Sequence, residues 1–487
     1  MDRQIRRLGV AFVVLFLLLF AQLNYIQVFA QKRLADNPAN TRTLLQEYSV
    51  KRGEILARDE RTVLAVSTAT KDLYKYLRTY PKGSLYGQLT GYYSLIFGRS
   101  GLESSENDWL AGSAAELLPQ NLVDEILGRP KRGATVVTTI DPNLQQVAAH
   151  ALGSLPGAVV ALDPKTGDVL AMYANPSFDP TPLASHDGKV ARDAEAKLVE
   201  NRSKPLLSRA FQELYPPGST FKMVTAAAAL ENGLTPNSAF PNPPQLTLAQ
   251  TTHKLQNFGG EHCLGGVPQL TIAQAFQVSC NVVFGEIGLK VGADALLNQA
   301  RKFGFDQHVP FDLPFSEGQI PPDSVGSPPA LAFSAIGQQS VSANPLQMAL
   351  VGAAIANDGI EMAPRLVSEI RDSSGRVVKR FDPQQFGQPI SAATSGALTR
   401  MMESVVAAGT GTAAQIAGAN VAGKTGTAQN ASGRPHAWFV CFGPNPNPTI
   451  VVAVLVLFGG SQGSDATGGR VAAPIARTIL EAALHGG

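Results

Sequence analysis

The segment around Ser219 constrains the fold more than any other part of this chain. Two prolines and a glycine, residues 216–218, suit a loop that stops abruptly where a helix starts. Ser219 and Lys222 follow, and on a helix their three-residue spacing is nearly one turn, so the two side chains can lie on the same face. The Ala-rich residues 225–230 continue that helix and suit a buried central position. A lysine held beside a serine in a dry site can take its proton and make the oxygen nucleophilic. The pair alone is weak support, because a helix N-terminus with an exposed lysine gives the same pattern.

The length and composition indicate an exported, multidomain chain. At 487 residues it exceeds the size at which one core keeps growing, so two or three domains are expected. The formal net charge is +2 and no Lys/Arg cluster alternates with aromatic residues, which argues against a nucleic-acid partner. A charged fraction of 16% with 46 glycines and 33 prolines is typical of an ordered, loop-rich extracytoplasmic protein. The seven histidines show no metal-ligand spacing, so neither a metal nor a cofactor is expected.

The N-terminus carries a membrane signal. Three arginines within the first seven residues precede residues 8–31, which contain no charge and open with an apolar run over residues 8–21. That length crosses a bilayer as a helix, and the arginines favour a cytoplasmic N-terminus. The alternative is a cleaved signal peptide, with Val28 and Ala30 as the small residues before the cut. A retained anchor is favoured, and under either interpretation everything after about residue 31 is exported.

The three cysteines are compatible with export. Cys263 and Cys280 lie in a loop-to-helix region and could be bridged in an oxidising compartment. Cys441 lies in the strand-like residues 437–442 and is interpreted as a buried small hydrophobe. The odd count leaves one thiol unpaired whatever the pairing, and the sequence leaves open whether the bridge forms.

Residues 31–155 lack long helical periodicity. Residues 52–55 and 62–66 predict two strands around a charged turn, and a β-rich run over residues 135–140 leads into a helix. A boundary near residues 154–156 separates this region from the C-terminal two thirds of the chain.

After the boundary the pattern predicts an α+β domain. The apolar runs 158–162 and 169–173 form a hairpin whose turn contains the tripeptide Lys165-Thr166-Gly167. Strand patterns return at residues 438–443 and 449–458, so distant segments should close one sheet. Further helical patterns lie between or after these strands, at residues 186–209, 270–289, 347–356, 391–407 and 472–484.

Two further motifs change the interpretation of Ser219. Ser279-Cys280-Asn281 lies inside a helical pattern, where small polar residues often mark a break, and could carry a second hydroxyl and an amide into a cleft. Lys424-Thr425-Gly426-Thr427 begins a β-like stretch, where a glycine on a strand edge lets a peptide approach the backbone. Lys424 adds positive charge where a carboxylate would bind. The earlier Lys165 tripeptide is interpreted as plain turn chemistry.

Ser-x-x-Lys, Ser-x-Asn and Lys-Thr-Gly, in that order on helix, helix and strand, form the signature of penicillin-binding proteins and class A β-lactamases. The whole chain resembles class B penicillin-binding proteins, most closely an actinobacterial subgroup whose members also have a cysteine at the position of Cys280. The likeness covers the anchor, the three motifs and six further stretches, at residues 52–55, 90–94, 98–103, 336–338, 356–359 and 436–439.

The resemblance implies a fold and a domain order. The fold is α+β: a transpeptidase domain like that of serine β-lactamases, with a mostly antiparallel sheet between helices, an N-terminal α+β pedestal and one transmembrane helix. The implied segments are a cytoplasmic tail over 1–7, a signal anchor over 8–30, a non-catalytic pedestal over 31–155 and the transpeptidase domain over 156–487.

The resemblance also implies a DD-transpeptidase that cross-links peptidoglycan stem peptides on a lipid-linked precursor polymer. Ser219 would attack the D-Ala-D-Ala carbonyl and form an acyl-enzyme, with Lys222 as its base. Ser279 would pass the proton to the leaving amine, supported by Lys424, and Asn281 would hold the donor amide and orient Lys222. An amine would then resolve the ester, and β-lactams would acylate the same serine.

Substrate binding is implied for the strand that begins at Lys424. Thr425 and Thr427 would contact the substrate carboxylate, with Gly426 between them, and the backbone N–H groups of Ser219 and Thr427 would form the oxyanion hole. A SEDS-type membrane glycosyltransferase is the partner that such enzymes usually require.

Other functions stay possible to different degrees. A β-lactamase needs a deacylating carboxylate, and no Glu-x-x-x-Asn element of that kind lies between residues 281 and 424. A glycosyltransferase domain does not fit into residues 31–155. A DD-carboxypeptidase shares all three motifs, and a mainly structural scaffold that binds β-lactams is a further alternative, although no catalytic residue is missing.

Overall fold

The computed structural model describes residues 2–29, 47–249, 251–252, 254–430 and 432–485. The cleavage position considered at Ala30 and the expected start of the pedestal at residue 31 lie outside this part of the chain. The N-terminal helix covers Asp2–Asn24 and continues as a π-helical turn over Tyr25–Phe29. Within the described residues, it is the one helix long and apolar enough to cross a membrane.

Fifteen α-helices have both ends within the described residues. They are, in chain order, α1 Asp2–Asn24, α2 Gly87–Thr90, α3 Gly101–Ser105, α4 Asn107–Leu110, α5 Leu118–Ile126, α6 Pro142–Leu152, α7 Gly188–Glu200, α8 Lys222–Glu231, α9 Ile272–Gln277, α10 Asn281–Val291, α11 Ala293–Lys302, α12 Pro328–Ser334, α13 Pro345–Ala356, α14 Ala392–Ala408 and α15 Ala473–His485.

The strands of the same described residues are β1 Ile55–Leu56, β2 Val63–Ala69, β3 Tyr76–Thr79, β4 Tyr93–Ser94, β5 Gly98–Arg99, β6 Thr135–Thr138, β7 Gly157–Leu162, β8 Val169–Asn175, β9 Ala239–Pro241, β10 Gln245–Thr247, β11 Lys254–Gln256, β12 Gln269–Thr271, β13 Glu361–Met362, β14 Val367–Arg371, β15 Val377–Arg380, β16 Gln385–Gly387, β17 Asn420–Ala428, β18 His436–Asn445 and β19 Ile450–Val456.

The C-terminal part of the molecule is built on a five-stranded sheet. Its order is β17-β18-β19-β7-β8 and every neighbouring pair is antiparallel, with Ala453 of β19 opposite Val160 of β7. One face packs against α13, and the other packs against α6 and α15. The expected α+β fold, with an antiparallel sheet between helices closed by distant segments, is therefore confirmed. Strand β17 lies at the edge of this sheet.

A six-stranded sheet forms the N-terminal half, in the order β15-β14-β6-β1-β2-β3. The two expected strands around a charged turn are β1 and β2, in which Ile55 lies opposite Ala65. Strands β14 and β15 come from residues 367–380, far along the chain, and β14 pairs antiparallel with β6. A single linear boundary near residue 155 therefore does not describe this sheet, because a hairpin from the later segment completes it.

A buried ion cluster holds the start of this N-terminal half together. The Glu103 carboxylate is fully buried and accepts from Arg52 Nε at 2.6 Å and from Arg78 Nε at 2.5 Å. Arg78 also donates to the Gly53 carbonyl at 2.7 Å. Removing one member would leave a buried charge without its partner, which is strongly destabilising. These residues account for two of the sequence stretches that carried the resemblance.

Candidate active site

Ser219 lies in a tight turn pinned against the edge of the five-stranded sheet. Residues 218–221 form a 3₁₀ turn that runs into α8, which starts at Lys222, as expected. Gly218 has a φ of +54°, and a Cβ there would lie 2.9 Å from the carbonyl oxygen of Thr427. Trp438 Nε1 donates to the Pro216 carbonyl at 2.9 Å. The serine is thus held at a helix N-terminus by two strands that come much later in the chain.

Lys222 is buried among hydrogen-bond acceptors. Its Nζ donates to the Ser279 carbonyl at 2.7 Å and to Asn281 Oδ1 at 2.8 Å, and the Ser279 hydroxyl is 3.4 Å away. Burial, reinforced by the nearby charge of Lys424, holds the pKa of Lys222 well below its ordinary value. A neutral amine has two N–H bonds, which these two carbonyl oxygens use. The lone pair of a neutral amine is then available to accept a proton, and Ser219 lies three residues earlier in the chain.

The second motif sits where the predicted helix over residues 270–289 breaks. The segment divides into β12, α9 and α10, and Ser279 between the two helices has a φ of +59°. A non-glycine residue in the left-handed region costs about 1–3 kcal/mol and is concentrated at functional sites. The turn presents both the carbonyl and the hydroxyl of Ser279 to Lys222. The prediction of one continuous helix was wrong here, because the backbone turns at Ser279 and brings the motif into the cleft.

Lys424 approaches from the edge strand. Its Nζ donates to the Ser279 hydroxyl at 2.9 Å and to the Thr425 carbonyl at 3.0 Å, and it lies over the ring of Phe276 at 5.4 Å. The side chain is fully buried, and burial lowers its pKa to about 7. In the part of the chain that the structure describes, neither Lys222 nor Lys424 forms a salt bridge with a carboxylate. Burial therefore lowers the pKa of both amines, and Lys424 keeps part of its charge near neutral pH.

The three motifs meet at one cavity of about 1510 Å³. Its lining includes Ser219, Ser279, Asn281, Thr425 and Thr427, so most of the predicted polar groups reach the open cleft. The two lysines lie beneath that surface with no exposed area. The Thr425 hydroxyl is 2.6 Å from the hydroxyl of Thr410, which fixes its direction.

Gly426 faces the protein interior. A Cβ at this position would lie 2.9 Å from the Pro217 carbonyl oxygen, from Thr220 Cγ2 and from Trp438 Cβ. The glycine therefore allows β17 to pack closely on the turn that carries Ser219. The expected close approach by a substrate stays a prediction beside this packing role.

Sequence reasoning missed Asn257, which positions the second motif. Its Oδ1 accepts the backbone N–H groups of Asn281 and Val282, both at 3.0 Å, and caps the start of α10. Its Nδ2 donates to the Glu261 carbonyl at 2.9 Å. Asparagine is a favoured cap, but a cap from a distant segment leaves no local spacing pattern. The Asn281 amide is further fixed by donating to the Gln256 carbonyl at 3.0 Å.

A disulfide joins Cys263 to Cys280, with 5.9 Å between their Cα atoms. It ties the loop after β11 to the middle residue of the second motif. Cys441 is a free, buried cysteine in β18, opposite Val452. Burial raises the pKa of its thiol, which suits an inert core position.

Comparison with known protein families shows which family the chain belongs to. Residues 157–481 match the penicillin binding protein transpeptidase domain, and residues 52–136 match the penicillin binding protein A dimerisation domain. The chain belongs to the class B penicillin-binding proteins. Among family members, it is 42% identical to the peptidoglycan D,D-transpeptidase PbpA of Mycolicibacterium smegmatis and 39% identical to that of Mycobacterium tuberculosis, with 100% of each chain covered.

Solved structures of this family agree with the fold. The ceftriaxone acyl-enzyme complex of penicillin-binding protein A from M. tuberculosis superposes with a TM-score of 0.86 at 39% identity, covering 90% of this chain and 100% of that one. The penicillin G acyl-enzyme complex of the same protein superposes with a TM-score of 0.85. The expected membership of an actinobacterial class B subgroup is confirmed.

Proposed function

We propose that this protein is a peptidoglycan D,D-transpeptidase in which Ser219 carries the acyl group. The observation that supports this most is the placement of Lys222: a fully buried amine whose N–H groups are taken by Ser279 and Asn281, one turn from Ser219. Its lowered pKa suits a general base at neutral pH. The identity with PbpA over the whole chain supports the same reaction.

In the acylation half, the Ser219 oxygen attacks the carbonyl carbon between the two D-alanines of a donor stem peptide, and its proton passes to Lys222. The oxyanion is bound by the backbone N–H groups of Ser219 and Thr427. Collapse breaks the peptide bond, and the leaving nitrogen receives a proton through Ser279. This leaves an ester on Ser219 and releases D-alanine.

The remaining motif residues hold the substrate and steer the proton. Lys424, 2.9 Å from the Ser279 hydroxyl, supports the transfer electrostatically. Asn281 holds the donor amide and orients Lys222, while Thr425 and Thr427 on β17 bind the terminal carboxylate beside Gly426. An amine from a neighbouring stem peptide then attacks the ester, gives its proton to the same relay and frees Ser219. A β-lactam is opened by the first half of this sequence and remains as the ester.

We also propose how the chain is placed at the membrane. Residues 1–7 are cytoplasmic, residues 8–30 anchor the chain, residues 31–155 form the body of the pedestal, and residues 156–487 act outside the membrane. The arginines before the apolar helix support this direction. Lipid-linked peptidoglycan would reach the site from the membrane surface, and a SEDS-type glycosyltransferase is the proposed polymerising partner.

Fluorescent penicillin tests the assignment directly. We expect one label per chain in the wild type, none in Ser219→Ala, and full labelling in Ser203→Ala, which alters an exposed serine outside the cleft. Unchanged labelling of Ser219→Ala would overturn the choice of nucleophile. Rapid loss of the label from the wild type would indicate a β-lactamase.

The acceptor is tested with the full chain and a lipid-linked polymer bearing pentapeptide stems. Cross-linked dimers of stem peptides are expected as the main product, since an amine must intercept the ester. Release of D-alanine with tetrapeptides and no dimers would identify a D,D-carboxypeptidase. Acylation by penicillin without either product would favour the structural scaffold.

A further inference from the structure

Helix α5 turns its apolar side away from the protein. Its nine residues contain no buried side chain, and the exposed apolar positions recur at the spacing of one helical face. Ile126 is 79% exposed and Leu122 is 59% exposed. The complete exposed set, including the residue just after the helix, is Leu118, Leu122, Val123, Ile126 and Leu127.

The polar side of the same helix faces the protein. Asn121 Nδ2 donates to the Gly112 carbonyl at 2.9 Å, and Gln120 Nε2 donates to the Ser373 hydroxyl at 3.0 Å. This is the reverse of a helix that packs on a core. A nine-residue helix is marginal in water on its own, so contact with an apolar environment on the outer side would stabilise it.

The position of α5 indicates what that environment is. The backbone N–H of Gly133 donates to the Lys51 carbonyl at 2.9 Å, and the backbones of Lys51 and Arg132 form an isolated parallel β-bridge. The segment just after α5 therefore lies beside the point where the chain arrives from the apolar helix α1. Residues 30–46 connect the two, a length that spans at most about 60 Å. This side of the pedestal is thus the side tethered to α1.

Basic residues adjoin the exposed apolar face. Arg129, Lys131 and Arg132 come shortly after α5 and are all exposed. Arg129 pairs with Asp124 of the helix at 3.6 Å, whereas Lys131 and Arg132 form no salt bridge among the described residues. An amphipathic helix beside cationic side chains is typical of a segment that lies in the interface of a membrane containing anionic lipid. A second copy of this chain would also cover an apolar face, and the experiment below separates that outcome from contact with lipid.

We propose that α5 lies in the headgroup region of the outer leaflet, with its apolar face against the acyl chains and the adjoining basic residues against anionic phospholipid headgroups. The proposal rests on the membrane anchoring in the proposed function. The helix is a second contact that fixes how the pedestal stands on the bilayer. Through Gln120 and Ser373 that contact continues into the hairpin between β14 and β15.

A lipid-quenching experiment on the full chain tests this contact. Ile126→Cys is labelled with the environment-sensitive dye NBD in nanodiscs of phosphatidylcholine and phosphatidylglycerol, with or without nitroxide on the upper acyl chain. The native cysteines do not interfere, because Cys263 and Cys280 are joined and Cys441 is buried. Val199→Cys is the matched control, since this apolar residue of α7 is 62% exposed.

We expect nitroxide lipid to quench the dye at position 126 at least twofold and to leave position 199 unchanged. Equal fluorescence with and without nitroxide at position 126 would overturn the proposal. Protection of position 126 only in discs that hold two chains, without lipid quenching, would assign the face to a second copy and also overturn it. Penicillin labelling of Ser219, measured on the same samples, reports on the proposed function independently.

Discussion

Lys424 Nζ donates to the hydroxyl of Ser279 at 2.9 Å, so the edge strand of the sheet and the left-handed turn between α9 and α10 share one hydrogen bond. Through the Ser279 carbonyl the same residue contacts Lys222. Two buried amines therefore flank one serine, and the charge of Lys424 makes the charged form of Lys222 less favourable. The pH dependence of acylation should report this coupling.

Replacing Lys424 by methionine should slow acylation by penicillin on the order of 100-fold or more, because the proton relay through Ser279 loses its electrostatic support. It should also move the pH dependence. Burial, then the charge of Lys424, lowers the pKa of Lys222. Without that charge the pKa of Lys222 rises, and since Lys222 must be neutral to act, the half-maximal rate shifts to higher pH. Second-order acylation rates between pH 5 and 10 measure both effects.

The chain supplies its own control for that variant. Lys165 belongs to the other Lys-Thr-Gly tripeptide, in the exposed turn between β7 and β8. Lys165→Met should keep the wild-type rate and midpoint. A Lys424→Met profile with an unchanged midpoint would contradict the coupling between the two buried lysines.

Asn257→Ala should slow acylation roughly fivefold or more, because α10 loses its cap. The backbone N–H of Asn281 also loses the acceptor that fixes its position. Asn257→Asp keeps an oxygen that accepts both N–H groups and should recover part of the rate. Asn242→Ala is a matched control: that amide is also buried and holds the same loop, but it donates to the Cys263 and Val267 carbonyls instead of capping the helix. Equal losses in Asn257→Ala and Asn242→Ala would reduce Asn257 to a loop anchor.

Gly426→Ala should abolish most penicillin labelling and lower the free energy of unfolding by about 1–3 kcal/mol. The new methyl group would press β17 away from the Ser219 turn, since backbone and side-chain atoms lie 2.9 Å from its position. Gly387→Ala changes a strand glycine with open space around it and should be neutral. Thermal unfolding and labelling together decide; a fully active Gly426→Ala would show that the strand can shift without cost.

Glu361 should make the protein less stable as the pH rises. It is fully buried, both carboxyl oxygens lack a hydrogen-bond partner among the described residues, and burial raises its pKa to about 8 from 4.5. The unfolded chain releases this proton at lower pH, so stability falls between about pH 4.5 and 8 and then levels off. Melting temperatures measured across this pH range should therefore fall for the wild type, and Glu361→Gln should remove much of that fall. Glu200→Gln, at the exposed end of α7, should leave the curve unchanged, and parallel curves for wild type and Glu361→Gln would refute the assignment.

Much of the site could be predicted because its motifs carry local signals. A helix start at Ser219 and a strand through Lys424 are readable from short-range patterns, and their order identified the family. The left-handed turn at Ser279 could not be predicted in the same way, since it is stabilised by contacts with Lys222 and Lys424 from other elements. The cap from Asn257 is equally non-local.

The fold was predictable in class but not in detail. Short apolar runs indicated the strands on either side of the catalytic helices, and these strands do form one sheet. The hairpin of β14 and β15 could not be assigned to the N-terminal sheet, because its partner β6 lies more than two hundred residues earlier. The packing of Gly426 on the Ser219 turn could not be predicted either, because the atoms it contacts belong to distant segments.

The order of the five-stranded sheet has a consequence for when the enzyme becomes active. Strand β7 pairs with β19, and β17 reaches the sheet only through β18 and β19. With the membrane orientation proposed above, the chain crosses the membrane in sequence order, so the Ser219 helix is exported long before the strand that carries Lys424. Until the last strands arrive, Ser219 lacks both the strand β17, against which its turn packs, and the second lysine, Lys424. Under that proposal, completion of export acts as the maturation step, and a chain stalled partway across carries a serine that is still inert.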